Sequence, residues 1–239
     1  MRLLFYLGIL AMIAVALMTR PSKQTSPSGA ADRTHIVLIG ASIGRSWQLA
    51  AWPDRMHQPA FTIESVAAWQ FDKSDALEEV LMRPKRKFRP TRTYLRSLLE
   101  PPPQLPAIVI LKECSSYFPG NLDGYLASMR TWVQRLRQAR IQTVLATVAP
   151  VTRARSGRDP GKQSALIEFN RRIREYASQE GLPLLDLESV LRAEGSGSFL
   201  RDEFTSGDGS HLNATAYRHL DGELRTVLSA MVGKGKGDR

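Results

Sequence analysis

The chain has 239 residues, 43% of them hydrophobic and 23% charged, a make-up that excludes disorder for its body. Thirty-three basic against 23 acidic side chains leave a net charge of +10, which favours anionic partners without choosing among nucleic acid, acidic lipid and acidic glycan. The one cysteine, Cys114, excludes an intrachain disulfide and a cysteine-type metal site, so the fold must rest on its core.

The first twenty residues, MRLLFYLGILAMIAVALMTR, set one arginine before sixteen uncharged residues from Leu3 to Met18. This is the pattern of a secretory signal peptide or a short signal anchor, and it predicts an extracytoplasmic protein, periplasmic or secreted, tied to the membrane if the segment is kept. As a helix the run would span about 24 Å, short of a hydrocarbon core of about 30 Å. No A-x-A site follows, so cleavage and retention both stay open. Residues 21–33 read as a flexible linker, 34–232 as one folded domain, and 233–239 as a flexible basic tail.

Within the domain, His35 to Ile39 is an apolar run stopped by glycine, a buried strand. After Gly44, RSWQLAAW can start a helix that Pro53 ends or interrupts. FTIESVA, 61–67, reads as a second strand, and WQFDKSDALEEVLM as a helix through Met82 with Asp72 or Ser74 as its cap. The stretch 83–96, RPKRKFRPTRTYLR, holds seven basic side chains and no acidic one; it is either a solvated loop or a surface for an anionic partner. No nucleic-acid-binding signature accompanies it, and no nucleic acid partner is expected. Three prolines at 101–103 cannot lie inside a strand ladder.

AIVILKE, 107–113, is the strongest strand, and the turn after it leads into a helix over 122–139 with Leu122, Leu126, Met129, Val133 and Leu136 on one face. IQTVLATVAP is a further strand, and VTRARSGRDPGKQS a polar loop. Leu166, Phe169, Ile173 and Tyr176 mark another amphipathic helix, LPLLDLE a fifth strand, and GDGSHLN a loop feeding a terminal helix. Such alternation predicts a five-stranded parallel sheet covered by helices on both faces. Ligands bind such sheets beyond the carboxyl ends of the strands. Residues 40–44, 112–116 and 208–213 fall there.

Those stretches hold the chemistry. Asp208 stands three residues before His211, close enough in a loop for a carboxylate to fix an imidazole in one tautomer. Ser42 would supply a nucleophile, which needs such a base within hydrogen-bonding reach. GASIG also fits the G-x-S-x-G elbow of α/β-hydrolases, but here the serine follows the first strand and the acid directly precedes the histidine. A phosphate cradle would need a Walker-type lysine or G-x-G-x-x-G, and neither is present. Cys114 paired with His211 is a further nucleophile candidate, whereas His35, His57 and His219 have no assigned partner.

A serine after the first strand with DGSHLN near the C-terminus resembles the SGNH or GDSL hydrolase superfamily, over residues 34 to 230. The resemblance implies a flavodoxin-like three-layer α/β/α sandwich and a hydrolase acting on esters or acetyl groups without metal or organic cofactor. Ser42 would be the nucleophile, His211 the general base and then acid, and Asp208 its orienting partner. The family also places oxyanion donors on a glycine after strand two and an asparagine after strand three. This chain reads VAAWQFDKS and KECS there, with Cys114 in the asparagine's place. Losing one such donor costs about 100- to 1000-fold in rate. Substitutes are the Ser42 N–H, backbone N–H groups from Ala68 through Gln70 to Phe71, Lys112, and the hydroxyls of Ser115 or Ser116, with Glu113 able to pair with Lys112. Two readings follow. One is a serine esterase of the carboxylesterase or acetylesterase type, or an acyltransferase with the same triad, acting on an acylated glycan or a lipid-like ester. The other is a non-catalytic SGNH-like domain that binds acylated glycan or a partner protein.

Overall fold

A computed structural model of the chain describes residues 33–83, 105–159, 161–195 and 197–234. The signal-like segment, nearly all of the linker, the basic run beyond Arg83 and the last five residues lie outside the described residues. Five strands, β1 (Thr34–Gly40), β2 (Phe61–Ala67), β3 (Ile108–Lys112), β4 (Gln142–Ala146) and β5 (Leu184–Leu185), form one parallel sheet in the order β2-β1-β3-β4-β5. Between and after them run the helices α1 (Ser42–Ser46), α2 (Trp52–Arg55), α3 (Ser74–Met82), α4 (Leu122–Gln138), α5 (Arg153–Ser156), α6 (Lys162–Gln179), α7 (Leu187–Leu191) and α8 (Ala214–Lys234).

The strands are apolar on both faces because both faces are covered. Ile36 and Leu38 of β1 enter one core with Ile108, Ile110 and Val144, beneath residues of α1, α2, α7 and α8. Val37 and Ile39, their neighbours on the other face, enter a second core beneath α3, α4 and α6. The result is the three-layer sandwich. Among the described residues no helix is long and apolar enough to cross a membrane.

Several local readings need correction. The first helix starts at Ser42, not after Gly44, and Pro53 sits in the first turn of α2, where its missing N–H leaves no carbonyl without a donor. Asp72 rather than Ser74 serves the start of α3, its Oδ1 accepting from the Ser74 N–H at 2.9 Å. The polar loop after β4 contains α5, capped by Thr152, whose Oγ1 accepts from the Arg155 N–H at 3.3 Å. The fifth strand is two residues long because Asp186 leaves it to cap α7, accepting from the Ser189 N–H at 3.2 Å. His35 has a partner after all, Glu64 at 3.1 Å, and His219 packs its ring on Phe204. Arg83, the described end of the basic run, is paired with Glu64 and Glu79.

One buried carboxylate joins the two ends of the domain. Asp221 of α8, 4% exposed, accepts from Trp47 Nε1 at 2.8 Å and from Arg55 Nε and Nη2 at 3.1 and 3.0 Å. The Tyr217 ring stacks on Trp47, with ring centroids 6.3 Å apart. The helix that follows the His211 loop is thereby fastened to the segment that follows Ser42. Asp221→Ala leaves the buried Trp47 N–H without an acceptor and should cost about 1–3 kcal/mol in urea unfolding. A variant as stable as the wild type would remove this link from the account.

Candidate active site

A serine opening a helix commonly caps it. Ser42 does not: Ala41 holds the cap position, no side chain caps α1, and Ser42 Oγ hydrogen-bonds to no described residue. The glycines around it are there for packing. A Cβ on Gly44 would fall 2.5 Å from Leu38 Cδ2, and one on Gly40 would fall 3.2 Å from both Leu38 Cδ2 and the Lys112 carbonyl oxygen. In GASIG only the half-buried serine hydroxyl has no structural duty.

The DGSHLN loop folds around Asp208. Its Oδ1 accepts the backbone N–H groups of Ser210 and His211 at 2.9 and 2.8 Å, and its Oδ2 lies 2.5 Å from His211 Nδ1. Gly209, at φ +80°, tucks against Thr152, whose N–H donates to its carbonyl at 2.9 Å; a Cβ there would meet Thr152 Oγ1 at 2.6 Å. Asn213 ends the loop by accepting the N–H groups of Thr215 and Ala216 at the start of α8. Partial burial works against the charge on Asp208, but the N–H groups of His211 and Ser210 and the imidazole hold its carboxyl well below the usual carboxylate range. An ionised carboxylate on Nδ1 leaves Nε2 to act as the base. The side chains of His211 and Asp208 are 49% and 50% exposed, so solvent reaches them directly.

The structure thus brings Asp208 and His211 together and leaves Ser42 unengaged: no hydrogen bond joins its hydroxyl to the imidazole. Catalytic hydrogen bonds commonly tighten only once substrate is bound. A cleft of about 530 Å³ lies between Arg153, Phe199 and Arg201, and it is lined by none of the three residues.

On the oxyanion side the expectations change. Ala68 drops out as a donor because its N–H is spent on the Gly40 carbonyl at 2.8 Å; its own carbonyl accepts from Tyr117 Oη at 3.0 Å. Trp69 and Gln70 are exposed, and the N–H of neither donates to a described residue. The Phe71 ring is packed away on Tyr125, with centroids 3.5 Å apart. Glu113 does not pair with Lys112. Its Oε2 accepts from Lys73 Nζ at 2.6 Å, both side chains being fully buried, while Lys112 Nζ donates to the Glu113 carbonyl oxygen at 2.7 Å. The thiol of Cys114 is only half-buried and accepts from Ser116 Oγ at 3.1 Å, and Ser115 is buried. In KECS the charged side chains are thus the buried ones and the thiol is the partly exposed one.

Lys73 was missed. Nothing in FDKSD marks a lysine that will be enclosed by Phe71, Tyr117 and Trp132, its Nζ 5.5 to 5.9 Å from their ring centroids. Burial lifts the Glu113 carboxyl to about 7 although Lys73 pulls the other way, and burial brings the Lys112 ammonium down to about 8.

Neither protein-family models nor the curated proteins contain a match to this sequence. Solved structures do match in backbone. A GDSL-like lipase of Bacteroides thetaiotaomicron superposes with a TM-score of 0.58 at 15% identity, over 83% of this chain and 89% of that one. The lipase/acylhydrolase of Enterococcus faecalis gives 0.54 at 19% identity over 80% and 92%, and an acetyl xylan esterase, AlAXEase, gives 0.55 at 14% identity over 80% and 98%. The chain has the SGNH hydrolase fold. Within the SGNH sandwich Ser42 stands at the carboxyl end of β1 and Asp208–His211 on the loop before the last helix.

The buried pair is open to test. A carboxyl raised from 4.5 to about 7 adds stability below pH 4.5 that is lost as the pH rises through 7. Lys73→Met removes the opposing ammonium and deepens that loss, so its cost should reach about 3–5 kcal/mol at pH 8 and be smaller at pH 5. Equal destabilisation at both pH values in urea melts would contradict the pairing.

Proposed function

We propose that this protein is an extracytoplasmic serine esterase of the SGNH type, cleaving a carboxylic ester, such as an acetyl group on a glycan, through an acyl-enzyme. His211 Nε2 takes the Ser42 proton as Oγ attacks the carbonyl carbon, and the carbonyl becomes an oxyanion facing the backbone donors at the rim. The tetrahedral species collapses, the C–O bond to the alcohol breaks, and the imidazolium returns the proton to the departing alkoxide. Water then attacks the acyl-enzyme with His211 again as base, releasing the acid and restoring Ser42. Asp208 keeps the imidazole in the required tautomer and stabilises its charged form. Another alcohol in place of that water would make the same residues an acyltransferase.

The observation that supports this most strongly is the Asp208–His211 pair at 2.5 Å, set on the same fold as a serine with no structural role. Export is supported by the apolar run from Leu3 to Met18, and a glycan substrate by the net charge of +10 together with an acetyl xylan esterase among the proteins sharing the fold. The non-catalytic reading is favoured by one feature, the lack of the family's glycine and asparagine donors.

Labelling of the full chain in detergent with a fluorophosphonate probe separates the two. The wild type should label and Ser42→Ala should not, and His211→Ala should lower kcat for p-nitrophenyl acetate by about 10²- to 10⁴-fold. A wild type that neither labels nor turns over would make the domain a binding module.

A further inference from the structure

The carboxyl end of β3 lies beside the strand end that leads into Ser42, because β3 is next to β1 in the sheet. The approach is close: the Lys112 carbonyl oxygen and Cβ lie 3.2 and 3.4 Å from where a side chain on Gly40 would begin. Lys112 is 1% exposed, and its ammonium is spent on a backbone carbonyl, that of Glu113 at 2.7 Å. In a trans peptide the C=O and N–H point in opposite directions. With the Glu113 carbonyl aimed at the buried ammonium, the Cys114 N–H of the same peptide is turned away from it, and that N–H donates to no described residue. A carbonyl held by a cation polarises its own amide, so this N–H is a stronger donor than an ordinary one.

The surrounding charge has the same sense. Two buried ammonium groups, those of Lys73 on the Glu113 carboxyl and of Lys112 on the Glu113 carbonyl, adjoin that one buried acid, whose Oε1 has no hydrogen-bond partner among the described residues. A fixed positive excess behind a donor favours negative charge developing in front of it.

We propose that the Glu113–Cys114 peptide, polarised by the Lys112 ammonium, supplies the oxyanion donor on the β3 side of the site, with Lys112 as a positioning residue that touches no substrate. This rests on the Ser42 esterase reading and assigns the part of it that the sequence leaves vacant. The Cys114 thiol is not needed for it. Burial sets the ammonium's range near 8, with Cys114 and Glu113 pulling it up and Lys73 pulling it down, so the polarisation fades above that pH.

The test is steady-state hydrolysis of p-nitrophenyl acetate by the full chain from pH 6 to 9.5, with Lys112→Met and Lys112→Gln. Wild-type kcat/KM should fall along an alkaline limb near pH 8. Lys112→Met should lower kcat at pH 7 by about 10- to 100-fold with KM unchanged, less than the loss of a whole donor. Lys112→Gln, which keeps a neutral donor, should fall between, and neither variant should show the limb. If Lys112→Met does not fold, the glutamine variant and the wild-type limb decide. Folded variants with wild-type kcat, a loss confined to KM, or a limb that persists in both would overturn the proposal while fluorophosphonate labelling of Ser42 still stands. A wild type with neither turnover nor labelling overturns the esterase reading and this one with it.

Discussion

The arrangement depends on one close contact, the backbone of α1 lying on Leu38 of the strand before it. Gly44 makes that contact possible, since any Cβ there would overlap the Leu38 side chain deep in the first core. A helix pressed so closely onto its own strand puts Ser42 at the carboxyl edge of the sheet, just past the end of β1, with no capping bond to make. The same contact fixes Trp47 and the start of α2, and through Asp221 it fixes α8. The serine and the histidine loop are therefore located by one continuous run of packing, although Ser42 and His211 stand 169 positions apart in the chain.

Two electrostatic regimes meet at this edge. Asp208 and His211 are half-exposed, and the Asp208 carboxylate is held ionised by hydrogen bonds within a four-residue loop. Lys73, Lys112 and Glu113 are buried, and at Lys112 and Glu113 the loss of water outweighs the attraction of neighbours. The proposed proton carrier benefits from access to solvent. The proposed charge-stabilising wall benefits from its exclusion, because the same dipole acts more strongly in a low dielectric.

Much of this was readable from residues alone, and the reason is local. β1 and β3 are apolar on both faces, so any register buries them, and α4 shows its core face at helical spacing. Asp208 and His211 lie three residues apart, close enough for their pairing to be a property of one loop. The missed features involve choices between competing partners. Glu113 lies next to Lys112 in the sequence but pairs with Lys73, forty residues away, because the neighbouring lysine's ammonium is taken by a backbone carbonyl. Asp186 reads as the continuation of a strand, yet its side chain gains more by capping α7. Pro53 reads as a stop, yet a proline in a first turn begins a helix as readily as one elsewhere ends it.

Trp47 stands where the two halves of the site are joined, its indole N–H on Asp221 and its ring against Tyr217. With the other three tryptophans replaced, its emission would gauge the registry between Ser42 and His211. A slip of the last helix along the domain would take the acceptor from the indole, so that loss of alignment registers optically at one side chain.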